Sequence, residues 1–209
     1  MRVLLLLIAS AVPAYLSGSI NGAIIASKSL FRKDIREFGS GNPGLTNFYR
    51  VFGKSGALLV AVIDIVKTVA PVLFGGWLLG RYMDMTLFGR IFSGFFVMLG
   101  HCFPIFYGFK GGKGVMAAGT ILLIIDWRIG LIAWGAFIIT VLATRYVSLG
   151  AMIGAASFPV AQFLLRLGGV KELTAAAMCA ILLIARHHQN ISRLIKGEES
   201  KFNFRRSDK

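Results

Sequence analysis

The sequence predicts an all-α membrane protein with seven transmembrane helices, its N-terminus outside and its C-terminus cytoplasmic. Three observations lead there. Hydrophobic residues make up 56% of the 209 positions against 15% charged, and the mean hydropathy is +0.73, a balance suited to lipid rather than to a water-soluble globule. Several apolar stretches approach the roughly 20 residues that a helix needs to cross a hydrocarbon core about 30 Å thick. They lack the alternation of apolar and polar residues that a membrane barrel strand requires. Finally, the basic residues collect in the connections between these stretches, within a single domain spanning 1–209.

Taken in order, the spans are expected near 3–27, 55–80, 86–107, 113–125, 129–144, 148–167 and 172–187. The first begins with Arg2 to Ala11, which imitates a cleaved signal peptide, but the apolar pattern continues to Leu30 and argues for a retained helix. The fourth is too short to cross alone. A 13-residue helix from Lys113 rises only about 20 Å, so its glycine-rich start is expected below the membrane surface, beside a cytoplasmic cavity that satisfies its backbone. Beyond Lys196 the charged segment 196–209 reads as a flexible cytoplasmic tail.

Charge orients the bundle. Sixteen of the 23 Lys and Arg residues fall in the connections 28–54, 108–112 and 145–147 and in the tail from 188, with Lys113 and Arg186 counted at their edges. Arg2, Arg81, Arg90, Arg128, Arg166 and Lys171 fall on the other side, and Lys67 lies inside a span. The positive-inside rule then makes the richer side cytoplasmic. The net charge of +14 is not gathered on a soluble module with interleaved aromatics, so nucleic acid is not an expected partner. Cys102 and Cys179 lie in apolar runs without metal-type spacing, which argues for packing rather than a disulfide framework or metal site, and no cofactor motif is evident.

Three polar segments occupy the inward connections. Gly39-Ser40-Gly41-Asn42-Pro43-Gly44-Leu45-Thr46-Asn47 formally contains GxGxxG but has no preceding strand, which excludes a dinucleotide fold. Its glycines suit either backbone N–H groups converging on an anion or a tight turn between helices, with Arg50 available to a phosphate. The run Phe109-Lys110-Gly111-Gly112-Lys113-Gly114 fails the Walker pattern at Tyr107 and Gly114, leaving two lysines on a flexible loop that opens a helix. The third, Arg186-His187-His188-Gln189-Asn190, brings His187 and Asn190 onto one face if the helix continues, or forms a basic snorkelling edge. Ser148 adds a hydroxyl beside Arg145, a position that a helix cap also explains. Asp64 and Lys67, three apart within the second span, suit either function or an ion pair supporting the bundle.

Together, SGSIN at 17–21, GSGNPGLTN at 39–47, GHCFPIFYGFKGGKG at 100–114, RYVSL at 145–149 and RHHQNISRL at 186–194 resemble the successive signatures of the bacterial acyl-phosphate:glycerol-3-phosphate acyltransferases, the PlsY family. Leu45 departs from the Ala usual in that family. The resemblance implies a multi-pass enzyme of the bacterial cell membrane that moves a fatty acyl group from acyl phosphate to the sn-1 hydroxyl of glycerol-3-phosphate, giving lysophosphatidate and phosphate for phospholipid biosynthesis. It implies catalytic roles for Ser40, Lys113, Ser148, His187 and Asn190. It also implies substrate or phosphate contacts from Gly41, Asn42, Thr46, Asn47, Arg50, Lys110, Gly111 and Gly112. Expected partners are the two substrates, membrane lipid and the soluble enzyme that makes acyl phosphate. His187 is a candidate general base, although the phosphate of the donor could accept the proton itself. A phosphate or proton-coupled transporter is the competing class, but the polar motifs collect on one side rather than at the midplane, and no repeat is visible. A lipid-binding scaffold is a further alternative.

Overall fold

The computed structural model describes residues 1–202. Residues 203–209, with Arg205, Arg206 and Lys209 of the inward charge count, lie outside the described residues. Among the described residues every regular element is helical: α1 Arg2–Gly18, α2 Gly22–Phe31, α3 Leu45–Phe52, α4 Ala57–Met83, α5 Thr86–Cys102, α6 Val115–Ile125, α7 Trp127–Thr144, α8 Val147–Leu164, α9 Val170–Arg186 and α10 His188–Ile195, with short 3₁₀ turns at Ile35–Glu37 and Ile105–Tyr107. Among the described residues, five units are long and apolar enough to cross a membrane: Arg2–Phe31, Ala57–Met83, Thr86–Tyr107, Trp127–Thr144 and Val147–Leu164. The other two expected spans form the shorter helices α6 and α9, of 11 and 17 residues.

The expected first span is not one helix but two. The chain breaks between Gly18 and Gly22, where Asn21 leaves helical geometry (φ −110°, ψ 111°) and its side chain accepts from the Ile24 N–H at 3.0 Å to cap α2. Broken backbone at membrane depth must find polar partners in the protein. Lys67 of α4 supplies one, its Nζ donating to the Ile20 carbonyl at 2.6 Å. Asp64, one turn earlier, accepts from the Gly22 N–H at 3.4 Å and pairs with Lys67 at 2.7 Å. His101 Nδ1 completes the cluster at 2.8 Å from Lys67 Nζ. The charged pair suggested by sequence spacing is therefore a buried support for the helix break.

Helix α5 is the pillar of the bundle, packed against α1, α4, α6 and α9. Its contact with α1 is backbone on backbone: a Cβ on Gly18 would collide with the Val97 carbonyl, and one on Gly100 with the Tyr15 carbonyl. Small residues allow this approach in lipid, where dispersion and interhelical hydrogen bonds replace a hydrophobic driving force. Buried Ser10 and Ser93 add one such bond at 2.6 Å. On the side carrying the long 28–54 connection, Ile24, Ile35, Phe48 and Val60 form a second small core, with Phe31 stacked on Phe52 at 4.3 Å. This core anchors α3 and the loop before it.

Helix α6 rises only about 16 Å, half the hydrocarbon thickness. It begins at Gly114, whose φ of +80° is readily available only to glycine. Lys113 and the glycines before it consequently sit in an irregular loop before the helix. The segment after Lys196, expected to be flexible, folds back as far as Phe202, whose N–H donates to the Arg145 carbonyl at 2.7 Å.

The buried cluster makes a prediction about stability. Lys67→Met would leave the Asp64 carboxylate uncompensated and should cost about 3–5 kcal/mol. Adding Asp64→Asn removes that charge while keeping an acceptor for Gly22, and should restore part of the loss. Thermal unfolding in detergent measures both; equal melting temperatures for wild type and Lys67→Met would refute the support role.

Candidate active site

The first polar segment is shaped before it can bind anything. Gly39 and Gly41 take positive φ of +60° and +69°, turning the backbone sharply on either side of Ser40. Asn47, buried at the start of α3, locks the turn: its Oδ1 accepts from the Ser40 N–H at 3.0 Å, and its Nδ2 donates to the Phe38 carbonyl at 3.0 Å. Asn47 thereby shapes the loop around Ser40. Ser40 is exposed at the rim, flanked by Gly41 and Asn42. Thr46 and Arg50 are one turn apart on α3, with Arg50 exposed.

The two glycine segments meet at Pro43. Its carbonyl accepts from Asn21 Nδ2 at 3.1 Å and lies against Gly112, where a Cβ would approach it to 3.1 Å and collide with the His101 ring. Gly112 N–H also donates to the His101 carbonyl at 3.1 Å. The buried cluster of Asp64, Lys67 and His101 therefore forms the floor on which this loop rests. Arg186 ties the loop to α9, donating to the carbonyls of Gly112 at 3.3 Å and Gly111 at 3.4 Å while lying over the Phe103 ring at 4.8 Å. Lys110 remains exposed on the outer side of the loop.

Lys113, in contrast, points inward. Its Nζ donates to Asn190 Oδ1 on α10. Asn190 Nδ2 donates to Glu199 Oε1 at 2.6 Å, and the same carboxylate accepts from Ser148 Oγ at 2.6 Å and from Arg193 Nε at 2.7 Å. One carboxylate thus gathers residues from α8, α10 and, through Asn190, the α6 loop. Arg50 approaches the same segment at the Ser200 carbonyl, 3.5 Å away. The α9 helix does not continue straight into α10 but breaks at His187 (φ −95°, ψ 11°), which is buried. His187 Nδ1 lies 2.8 Å from the Leu183 carbonyl; that oxygen cannot donate, so Nδ1 carries the hydrogen and Nε2 holds the lone pair.

Electrostatics follow from this convergence. Burial first, and then the neighbouring Arg193, bring Lys113 in its loop down to about 8, with Glu199 partly opposing the shift. For Glu199, burial pushes the carboxyl upward, but donors from Ser148, Asn190 and Arg193 prevail and leave it below the ordinary range. The result is a donor-rich cluster at the end of the bundle, cationic but held together by one internal anion. Lys113, Ser148 and Asn190 share this network, while Ser40, Gly41, Asn42, Thr46 and Lys110 belong to the surrounding rim and loops. Glu199 is the member that motif reading missed; Arg186 and Arg193 flank the His187–Asn190 face in the sequence pattern without being assigned to the site. The available signal was scarcity, because only 9 acidic residues accompany 23 basic ones, and Glu199 stands among the basic side chains that follow α10.

Residues 8–197 match the family model described as Glycerol-3-phosphate acyltransferase. The chain belongs to the glycerol-3-phosphate acyltransferase family. A glycerol-3-phosphate acyltransferase of Jannaschia sp. is 41% identical over 197 residues, covering 94% of this chain and 93% of its own. That of Photobacterium profundum is 39% identical over 189 residues, covering 90% and 89%. The crystal structure of PlsY, an integral membrane glycerol 3-phosphate acyltransferase, in its glycerol 3-phosphate form superposes with a TM-score of 0.82 at 33% identity, covering 97% of this chain and 96% of that one. Its lysophosphatidic acid form gives 0.81 at 32% identity with the same coverage. The all-helical architecture of this chain is thus shared with an integral membrane acyltransferase.

Glu199 carries the prediction of this section. Glu199→Ala removes the shared acceptor of three donors and leaves the cations to repel one another. At about 1.5–3 kcal/mol for a hydrogen bond to a charged group, the variant should unfold at a clearly lower temperature in detergent. An unchanged melting temperature would mean that the tail contact contributes nothing to the fold.

Proposed function

We propose that this chain transfers a fatty acyl group from acyl phosphate to the sn-1 hydroxyl of glycerol-3-phosphate, releasing lysophosphatidate and inorganic phosphate. The observation that carries this reading is the network joining Lys113, Asn190, Ser148 and Arg193 at the mouth of an apolar bundle. Both substrates present phosphate, which suits a cluster of cations and glycine N–H groups. The acyl tail requires an apolar surrounding, and the bundle offers it directly below. The membership reported above, together with the relatives' printed names, supports glycerol-3-phosphate as acceptor; the donor and the position of attack are our inference.

In this scheme Lys113, Arg50 and the Gly111-Gly112 backbone hold phosphate oxygens, with Gly41, Asn42, Thr46 and Lys110 shaping the approach. Ser40, Ser148 and Asn190 orient the acceptor and the acyl carbonyl. The sn-1 oxygen attacks the carbonyl carbon, an ester bond forms, and the bond from that carbon to the phosphate oxygen breaks. The phosphate leaves with the electron pair, its added charge stabilised by donors already in place. The hydroxyl proton passes to the departing phosphate or to His187 Nε2. Acyl phosphate is already activated, so transfer is direct and no acyl-enzyme forms.

Seven spans, with the site facing the cytoplasm of a bacterial cell, complete the proposal. The inward bias of basic charge supports that orientation, and the short helix α6 would leave its glycine loop in a recess open to cytoplasmic solutes. The transporter alternative gains nothing from Asp64 and Lys67, whose polar atoms are engaged with Ile20, Gly22 and His101.

Purified protein given glycerol-3-phosphate and either acyl phosphate or acyl-CoA of equal chain length should form lysophosphatidate efficiently only from acyl phosphate, with equimolar phosphate released. Comparable efficiency with acyl-CoA would sink the donor assignment. In sealed vesicles, turnover of added substrate should require the inside-out orientation. Charge on Lys113 gives a second expectation. The protonated form binds phosphate, so the KM for the phosphate substrates should rise as pH passes upward through about 8. Lys113→Arg should flatten that rise, whereas Lys113→Ala should lower turnover at least roughly tenfold below about pH 8, with the deficit shrinking above it. An unaltered pH profile in Lys113→Arg would count against this role.

A further inference from the structure

Five helices close a ring: α5 packs on α6, α6 on α7, α7 on α8, α8 on α9, and α9 returns to α5. Inside the ring is apolar space that the network above does not use. One part, partly open to its surroundings, has about 340 Å³ of empty space counting that open side, and is lined near its mouth by Val115, Phe137, Ala151 and Leu183. A second, narrower cleft is lined deeper in the ring by Met98, Ile121, Phe158 and Cys179. Ala118, Leu122, Ala155 and Leu183 border both, so the two are halves of one slot.

The slot starts at the candidate site. Val115 is two residues beyond Lys113, Ala151 three beyond Ser148, and Leu183 is the residue whose carbonyl holds His187. Along α8 it descends from Ala151 to Phe158, about 10 Å at the rise of an α-helix. Its waist is made by alanine, and its deep end by large side chains that are almost completely buried: Phe158, Ile121 and Met98 are 3%, 1% and 1% exposed. Every lining side chain is apolar apart from the indole N–H of Trp134, which donates to the Gly119 carbonyl at 3.3 Å.

We propose that this slot receives the acyl chain and that Ala118 and Ala155 at its waist, with Phe158 at its end, set which chain lengths react. The inference rests on the acyl-transfer reading of the site and goes beyond it by naming the residues that select the substrate. An acyl carbonyl held beside Lys113 and Ser148 has its chain directed at the mouth. Each methylene that enters exchanges loose contacts with lipid or detergent for packed contacts with the slot lining, so the gain comes from dispersion. That gain stops where the chain meets Phe158, because close-packed buried side chains yield little. Longer chains must then bend back toward the mouth, while shorter ones leave the end empty.

The test uses the whole protein in detergent with saturated acyl phosphates of graded length, reading kcat/KM for lysophosphatidate. Ala155→Leu and Ala118→Leu should shift the optimum to shorter chains, with the longest donors falling at least tenfold relative to the shortest. Phe158→Ala should shift it toward longer ones. The KM for glycerol-3-phosphate should stay unchanged in all three. An identical length profile in the variants and wild type would overturn the proposal. A measurement on the unaltered protein guards against misfolded variants: lysophosphatidate with a terminal diazirine should crosslink to residues lining the deep half of the slot. Labels confined to the lipid-facing sides of α7, such as Ile139, would equally overturn it. Failure of the wild type to form product from any donor would instead refute the acyl-transfer reading on which the slot depends.

Discussion

A break in a membrane helix is tolerated only if something answers its backbone, and here that answer is the ammonium group of Lys67. It meets the Ile20 carbonyl, the Asp64 carboxylate and His101 within 2.8 Å of each partner. Burying an ammonium and a carboxylate is unfavourable unless geometry and further hydrogen bonds compensate. Three elements are fixed in return. The break redirects α2 so that Asn21 can hold Pro43, His101 becomes a rigid ledge for Gly112, and α4 is locked against both. Without that cluster the two glycine segments would have no common floor.

The site above this floor uses the opposite strategy. Cations are gathered near one another, which is unfavourable in itself, and a single carboxylate from beyond α10 limits the repulsion. Lys113 illustrates the balance: burial and Arg193 lower its proton affinity, whereas Glu199 raises it. A site arranged in this way remains hungry for further negative charge. Anion-binding strength and pH sensitivity therefore come from the same arrangement.

Much of this was legible in the sequence because membrane solvation imposes simple rules on composition. Long apolar runs, basic connections and the shortness of the fourth span all follow from the thickness and polarity of the bilayer. Lys113, Ser148 and Asn190 were visible as polar residues in the connections, and the structure links them. The division of the first span was not legible, because Ser19, Ile20 and Asn21 are compatible with a helix, and only the tertiary partners Lys67 and Asp64 stabilise the break. That Asn47 also braces the loop around Ser40 was not legible, since sequence gives residue type and not the direction of a side chain. Glu199 was lost in a segment whose composition suggests flexibility; three specific donors overrule that local tendency.

The break at His187 has a consequence for biosynthesis. Asn190 and Glu199 emerge only after α9, so the hydrophobic helices can be threaded into the bilayer while the cation cluster still lacks its internal anion. Membrane insertion and the acquisition of a finished pocket are thereby separated in time. A chain synthesised only as far as the end of α9 would already contain the helices of the apolar ring, but the network at its mouth would lack Asn190 and Glu199.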